Sequence, residues 1–255
     1  MDILIIGGDS LIAKNYIDFC IYKGLDFVYT SRRDNQKNKA IFLDLNNPNF
    51  ELIKKKQFNF TVFFASVANI EFCENNKDET YLINVANTQK SLKVLSKISK
   101  KVLYISSNCV FDGKKPFMKV DDITNPMNEY GRQKLEVENW IKSNLNNTSI
   151  LRASKIIHPQ FNLINEWKNK LDKKKEIHPY VNKFLAPTPI KNIIEKIEFI
   201  RRNNKNSLYH CKSNKDLSYY EFALDIFDKH INKKLIQKGV SDEKLDKVMQ
   251  FNSLK

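Results

Sequence analysis

Short, almost wholly apolar stretches, each followed by a turn and often by a longer segment of helical periodicity, constrain this chain more than any other feature. The first, Ile3–Ile6, runs into Gly7 and Gly8, then into a segment from Leu11 to Tyr22 with apolar residues at helical spacing, closed by Gly24. A strand, a tight turn and a helix are predicted. Further buried strands are predicted at 27–30, 41–43, 61–65, 102–106 and 149–152, with helices over 78–99 and from just after Pro126 to 145. Apolar strands alternating with helices imply a parallel sheet covered on both faces, so the expected fold class is α/β, a doubly wound Rossmann sheet.

Beyond Arg152 the alternation loosens. Helices are expected at 161–171 and 190–200, a strand at 207–210, and a helix within 217–231 that starts after Ser218, a suitable N-cap. The expected division is a dinucleotide-binding domain over 1–152, with 186–204 packing on it, and a small substrate-binding lobe made of 153–185 and 205–255. Such a lobe would lie over the carboxyl edge of the sheet, where open α/β proteins bind ligands.

Composition excludes several classes. The first residues carry no basic leader and no apolar run reaches membrane-spanning length, so a cytoplasmic protein without a membrane partner is expected. Net charge is +14, but the lysines are spread along the chain, and the clusters at 54–56 and 173–175 are not interleaved with aromatics. Nucleic acid is therefore not an expected partner, although a positive field draws in small polyanions such as nucleotides. Cys20, Cys73, Cys109 and Cys211 form no C-x-x-C pair and are read as reduced. The four histidines are dispersed, so no metal site is expected, and no G-x-S-x-G elbow is present.

Several segments carry chemistry. In Gly7-Gly8-Asp9-Ser10-Leu11-Ile12-Ala13 the first glycine permits a tight strand-to-helix turn, and the helix N-terminus offers N–H groups to a pyrophosphate. Gly7, Asp9, Ser10, Leu11 and Ile12 are cofactor-binding candidates; an ordinary turn is the alternative. The second strand runs into Ser31-Arg32-Arg33, with Asp34 only later. Arginine there accommodates a 2′-phosphate, so NADP(H) is expected over NAD(H), with a solvated basic turn as the alternative. Asp44 and Leu45 after the third strand, and Ala65, Ser66 and Val67 after the fourth, are placed where adenine and ribose would lie. Finally, Tyr130 and Lys134 are one helical turn apart, downstream of Ser106-Ser107-Asn108. A cation beside a phenol lowers its pKa, and a serine hydroxyl can hold the same reacting oxygen, which is equipment for carbonyl reduction.

Ile105-Ser106-Ser107-Asn108-Cys109-Val110-Phe111-Asp112-Gly113 is similar to the I-S-T-D-Y-V-F-D-G segment of one enzyme branch. The run from Pro126 through Tyr130, Gly131 and Lys134 is similar to its P-x-N-x-Y-G-x-x-K. With Leu151-Arg152, Ala186-Pro187-Thr188-Pro189, Leu208-Tyr209-His210 and Ser218-Tyr219-Tyr220-Glu221-Phe222-Ala223 in the same order, the chain resembles an extended short-chain dehydrogenase/reductase of the dTDP-4-dehydrorhamnose reductase branch. The resemblance implies reduction of a keto group, C4 the favoured position, on a nucleotide-activated deoxysugar in surface polysaccharide biosynthesis. It implies Tyr130 as proton donor, Lys134 as the residue that tunes it and holds the nicotinamide ribose, and Ser107 as hydrogen-bond partner of the substrate oxygen. Asn84 takes a supporting role near the cofactor. Asn108, Arg152, Ser154 and Lys155 become substrate-binding candidates, and a homodimer is left open. Ser10 and Ala13 replace two glycines of the phosphate loop, Asn108 and Cys109 replace an aspartate and a tyrosine, and Lys155 stands where the family often has tryptophan. These departures imply a rebuilt pocket and a sugar other than the rhamnose precursor. A non-catalytic nucleotide-binding or regulatory protein on the same fold, and an epimerase or dehydratase, are the alternatives.

Overall fold

The computed structural model describes residues 2–33, 40–158, 162–203, 205–213, 215–241 and 249–255. Asp34, Phe161 at the expected helix start, Asn204 and residues 242–248 of the charged tail lie outside the described residues. Among the described residues, seven strands form one parallel sheet: β1 (Ile3–Ile6), β2 (Phe27–Ser31), β3 (Ala40–Phe42), β4 (Phe58–Phe63), β5 (Ser99–Ser107), β6 (Thr148–Ala153) and, later in the chain, Leu208–Cys211. The order runs from that last strand through β6, β5, β4, β1 and β2 to β3. This is the doubly wound order, with its switch point between β1 and β4.

The first strand shows why the sequence folds this way. Its four residues are each 0% exposed, Leu4 and Ile6 entering one core and Ile3 and Ile5 the other. Burying each of these side chains is worth about 1.5–3 kcal/mol relative to leaving it exposed. α1 (Leu11–Tyr22) covers one face, with Ala13, Tyr16 and Cys20 in the core that Ile193, Ile197 and Ile200 also enter. The opposite face is covered by a chain of short pieces: α2 (Ile70–Asn75), α3 (Lys77–Tyr81), a π-helical turn at Leu82–Asn87, α4 (Thr88–Ile98) and α5 (Glu129–Asn144). The sequence pattern reads 78–99 as one helix; the structure widens its first half into the π turn, a local distortion frequent at functional sites. All four cysteines are free and buried.

The rest of the chain completes the main sheet and builds a smaller lobe. Its elements are β7 (Ile156–Ile157), α6 (Asn162–Asp172), β8 (Phe184–Leu185), β9 (Thr188–Pro189), α7 (Ile190–Arg202), β10 (Leu208–Cys211), β11 (Leu217–Ser218) and α8 (Tyr219–Ile226). Two ribbons, β7 with β9 and β8 with β11, are too short to leave a periodic signal in sequence. α7 packs on α1 in the sheet's own core. β10, which the sequence division assigns to the substrate lobe, instead pairs in parallel with β6 and extends the main sheet, because Cys211 and the half-buried Tyr209 join that sheet's core. The lobe keeps a separate core of Trp167, Leu171, Ile177, Leu185, Phe222 and Phe227. Ser218 caps α8 through a capping box with Glu221, as its position before the helix predicts. Residues 249–255 run back across the seam, with Phe251 stacked on Phe184 at 4.9 Å and the Phe251 N–H donating to the Gly113 carbonyl at 2.9 Å.

Candidate active site

The glycine loop is pinned to the neighbouring strands. Gly7 adopts φ +82°, and a Cβ there would lie 2.7 Å from the Ala65 backbone, so both the turn and the close approach require glycine. Its N–H donates to Thr30 Oγ1 at 3.0 Å, and the Gly8 N–H to the Thr30 carbonyl at 2.7 Å. Ser10 caps α1, its Oγ accepting from the Ala13 N–H at 3.2 Å. The side chain thus folds back on its own helix. Leu11 and Ile12, whose N–H groups the helix does not use, line the same cavity as Ser10. This end fits a dinucleotide pyrophosphate: a cradle that a Cβ would fill, and free N–H groups at the positive end of a helix.

Asp9 reaches the end of β2. Its carboxylate accepts from Ser31 Oγ at 2.9 and 3.1 Å and from the Arg32 N–H at 3.1 Å. Ser31 is buried, while Arg32 and Arg33 are exposed just beyond it. Asp44 and Leu45, expected near the adenine, do not line the cavity. Asp44 closes a turn onto Asn46, and Leu45 points into the core because the chain turns inward there. Of the residues after β4, Ser66 lines the cavity, Ala65 packs under Gly7, and Val67 is clamped by Asn84. The Asn84 side-chain Oδ1 accepts from the Val67 N–H at 2.8 Å, and Nδ2 donates to the Val67 carbonyl at 2.9 Å and to Gln133 Oε1 at 2.8 Å. Asn84 sits in the π turn and acts on the loop rather than on the cavity itself.

Ser107, Tyr130 and Lys134 come together. Asn128 caps α5, its side chain accepting from the Gly131 N–H at 2.8 Å, and fixes where the helix begins. A Cβ on Gly131 would lie 2.1 Å from the Cys109 carbonyl oxygen. Glycine there lets the first turn of α5 rest directly on the 107–110 turn. The hydroxyls of Ser66 and Ser107 lie beside the Tyr130 phenol and favour its ionised form. Lys134 Nζ lies 5.6 Å from the Tyr130 ring centroid, 4.8 Å from that of Tyr104, and donates to the Ile105 carbonyl at 3.1 Å.

The phenol is not acidified, contrary to the expectation from spacing. Burial pushes Tyr130 well above the usual tyrosine value, the buried Cys109 and Cys73 thiols add to this, and the neighbouring Ser66 and Ser107 hydroxyls pull it partly back. Burial also holds the Lys134 ammonium down to about 8, against some restoring attraction from Glu138. Desolvation outweighs the cation, so the phenol keeps its proton at neutral pH.

The cavity around these groups has a volume of about 930 Å³, within the range of small-molecule and cofactor sites. Besides the phosphate loop and the central three it is lined by Glu71 and Glu74 of α2, by Cys109, Ser154 and Lys155, and by Tyr219, Met249 and Asn252. Asn108 lines it too, its amide donating to the Asn252 carbonyl oxygens at 3.1 Å (backbone) and 3.0 Å (side chain). Sequence reasoning missed Met249 and Asn252, since no motif in 239–255 marks them, and missed the α2 carboxylates. Arg152, a substrate candidate, is a correction. It is 1% exposed, bound by Glu138 at 2.7 Å, and its guanidinium stacks 4.9 Å from the Phe111 ring centroid, behind the cavity rather than in it. Among the described residues no cluster could hold a metal ion, and no helix is long and apolar enough to cross a membrane.

A spore coat polysaccharide biosynthesis protein, SpsK, of Bacillus subtilis is 26% identical over 175 residues, 68% of this chain and 61% of that protein. A dTDP-4-dehydrorhamnose reductase of Aggregatibacter actinomycetemcomitans is 26% identical over 206 residues, 76% of this chain and 70% of that one. The solved structure of a dTDP-4-dehydrorhamnose reductase from Clostridium acetobutylicum superposes with a TM-score of 0.88 at 22% identity, covering 100% of this chain and 90% of that one. Cofactors differ among such neighbours: the Bacillus anthracis dTDP-4-dehydrorhamnose reductase (TM-score 0.85, 19% identity, 100% and 91% covered) is in complex with NADP. MoeE5 (TM-score 0.82, 17% identity, 100% and 88% covered) holds UDP-glucose and NAD. The sequence profile of the RmlD substrate binding domain matches residues 1–248, and the chain belongs to that family.

Proposed function

We propose that this protein reduces a keto group, C4 the favoured position, on a nucleotide-activated deoxysugar, with NADP(H) as the preferred reductant. The observation that carries the reading is the Tyr130 phenol, set beside Lys134 and lining, with Ser107 and Ser66, one cavity that begins at the phosphate loop. A nicotinamide supplies the hydride when bound. The chain's own residues do the rest. Ser107 and Tyr130 hold the keto oxygen, and Tyr130, which retains its proton at neutral pH, gives it to the oxygen as negative charge develops there. The Lys134 ammonium then faces the phenolate left behind. Arg32 and Arg33, exposed past β2, favour a 2′-phosphate.

The lobe formed by 153–185 and the chain beyond β10 is proposed as the sugar side, with Ser154, Lys155 and Asn108 as its contacts. The relationship to a protein named for spore coat polysaccharide biosynthesis supports a surface-polysaccharide setting, and the enzyme is proposed to act in the cytoplasm. Ser10, the replaced glycine that favours a regulatory protein on this fold, has its side chain turned away into its own cap.

Tyr130→Phe tests the reading. NADPH oxidation in the presence of dTDP-4-dehydro-6-deoxyhexoses is expected to fall by about 10²–10⁴-fold, with NADPH affinity retained. Undiminished turnover in the variant removes Tyr130 from the chemistry.

A further inference from the structure

NAD-type sites place a carboxylate at the end of the second strand to accept a hydrogen bond from the ribose 2′-hydroxyl, whereas NADP-type sites place arginine there for the 2′-phosphate. Here Ser31, Arg32 and Arg33 supply no carboxylate of their own. One arrives from elsewhere in the chain. The Asp9 side chain, 22 and 23 residues away in sequence from its partners, crosses from the glycine loop to the Ser31 hydroxyl and the Arg32 N–H. It is half-buried and anchored from two directions, so its position does not depend on a ligand. A carboxylate has about four acceptor positions. Ser31 has one hydroxyl proton and Arg32 one N–H, so at most two positions are used and the others can take a ribose hydroxyl.

We propose that Asp9 is the cofactor-specificity residue of this chain, admitting NAD(H) by accepting the ribose 2′-hydroxyl and holding back the NADP(H) preference that Arg32 and Arg33 create. The inference rests on the dinucleotide reading above. Two opposed determinants therefore meet at one strand end. The fixed negative charge of Asp9 repels a 2′-phosphate, and the guanidinium groups attract it. The backbone N–H of Arg32 and the hydroxyl of Ser31, donors a phosphate would otherwise use, are already taken by Asp9.

The test is equilibrium binding of NADPH and of NADH, followed by nucleotide fluorescence, to the wild type, Asp9→Asn and the double variant Arg32→Ala, Arg33→Ala. The wild type is expected to bind both, NADPH by no more than about a hundredfold better, since a charge-assisted hydrogen bond offsets about one or two factors of ten. Asp9→Asn should weaken NADH, tighten NADPH and widen their ratio by about tenfold or more. The double arginine variant should erase the NADPH advantage and leave NADH binding in place. An unchanged or narrower ratio in Asp9→Asn overturns the proposal while leaving the cofactor reading intact. Failure of the wild type to bind either nucleotide overturns both. If thermal melting shows Asp9→Asn unfolded, the wild-type ratio decides alone, and selectivity for NADPH beyond about a hundredfold overturns the proposal.

Discussion

Helix α5 serves two polar clusters of opposite kind, one turn apart. Lys134 and Tyr130 face the cavity, whereas Glu138 points into the sheet and holds Arg152. In the inner cluster every group is saturated. Glu138 accepts from Ser106 at 2.6 Å and from Arg152 at 2.7, 3.0 and 3.2 Å, and Arg152 also reaches the Val120 carbonyl and His210. In the outer cluster contacts are fewer and longer, with Ser107 donating to Asn108 at 3.3 Å and Lys134 to a single carbonyl at 3.1 Å. Saturated buried polar groups hold a fold together; groups left with hydrogen-bonding capacity beside a cavity are available to a ligand.

The largest expected effect breaks the inner cluster. Glu138→Ala leaves the Arg152 guanidinium buried and unpaired and should cost about 3–5 kcal/mol in a denaturant titration. Lys134→Met, a few ångströms away, removes a charge that burial already disfavours; stability should hold or rise while turnover collapses. If both variants lose stability equally, the distinction between the clusters is wrong.

Acid probes the same boundary. Burial, then the Arg152 charge, lowers His210 from 6.5 to about 4, with Asp122 and carbonyls pulling weakly the other way. Because the folded value lies below the unfolded one, the unfolded chain binds more protons between them, and stability falls as pH drops from about 6.5 to about 4. The loss is about 3 kcal/mol. His210→Gln should flatten that limb of the stability–pH curve. On the outer cluster the corresponding readout is activity: kcat/KM should decline above about pH 8 as Lys134 loses its proton.

A smaller change addresses how the outer cluster is assembled. Gly131→Ala forces a methyl group against the Cys109 carbonyl and should cost about 1–3 kcal/mol, with a larger proportional loss in turnover as Tyr130 moves off Ser107. Loss of stability with full turnover would show that the close approach at Gly131 does not set the catalytic geometry.

The difference between the clusters also explains what was legible in the sequence. The sheet was, since Ile3–Ile6 and the strands beside it are covered on both faces, although the edge strand β3, expected to be buried, leaves Phe42 exposed. Ser107, Tyr130 and Lys134 were, because a helical turn and a strand end fix their neighbourhood locally. The acidity of Tyr130 was not, since spacing reports the cation and is silent on desolvation. Arg152 became a pocket candidate through the family resemblance; only the packing of Glu138 and Phe111 shows that it is enclosed. Asn252 and Asp9 act across distances along the chain that no local pattern encodes.

That last property bears on the order of assembly. Asn108 meets Asn252 across 144 residues, and Phe251 closes on Gly113 at a similar remove, whereas most strands of the sheet meet partners tens of residues away. Loop-closure entropy makes the long contacts the slowest to become favourable. The sheet should therefore form before the cavity has its far wall, and pulse-labelled exchange should protect the amides of β5 earlier than that of Phe251. A newly made molecule would then pass through a stage with a finished phosphate loop and a cavity still open on its far side, and simultaneous protection of both sets would rule that stage out.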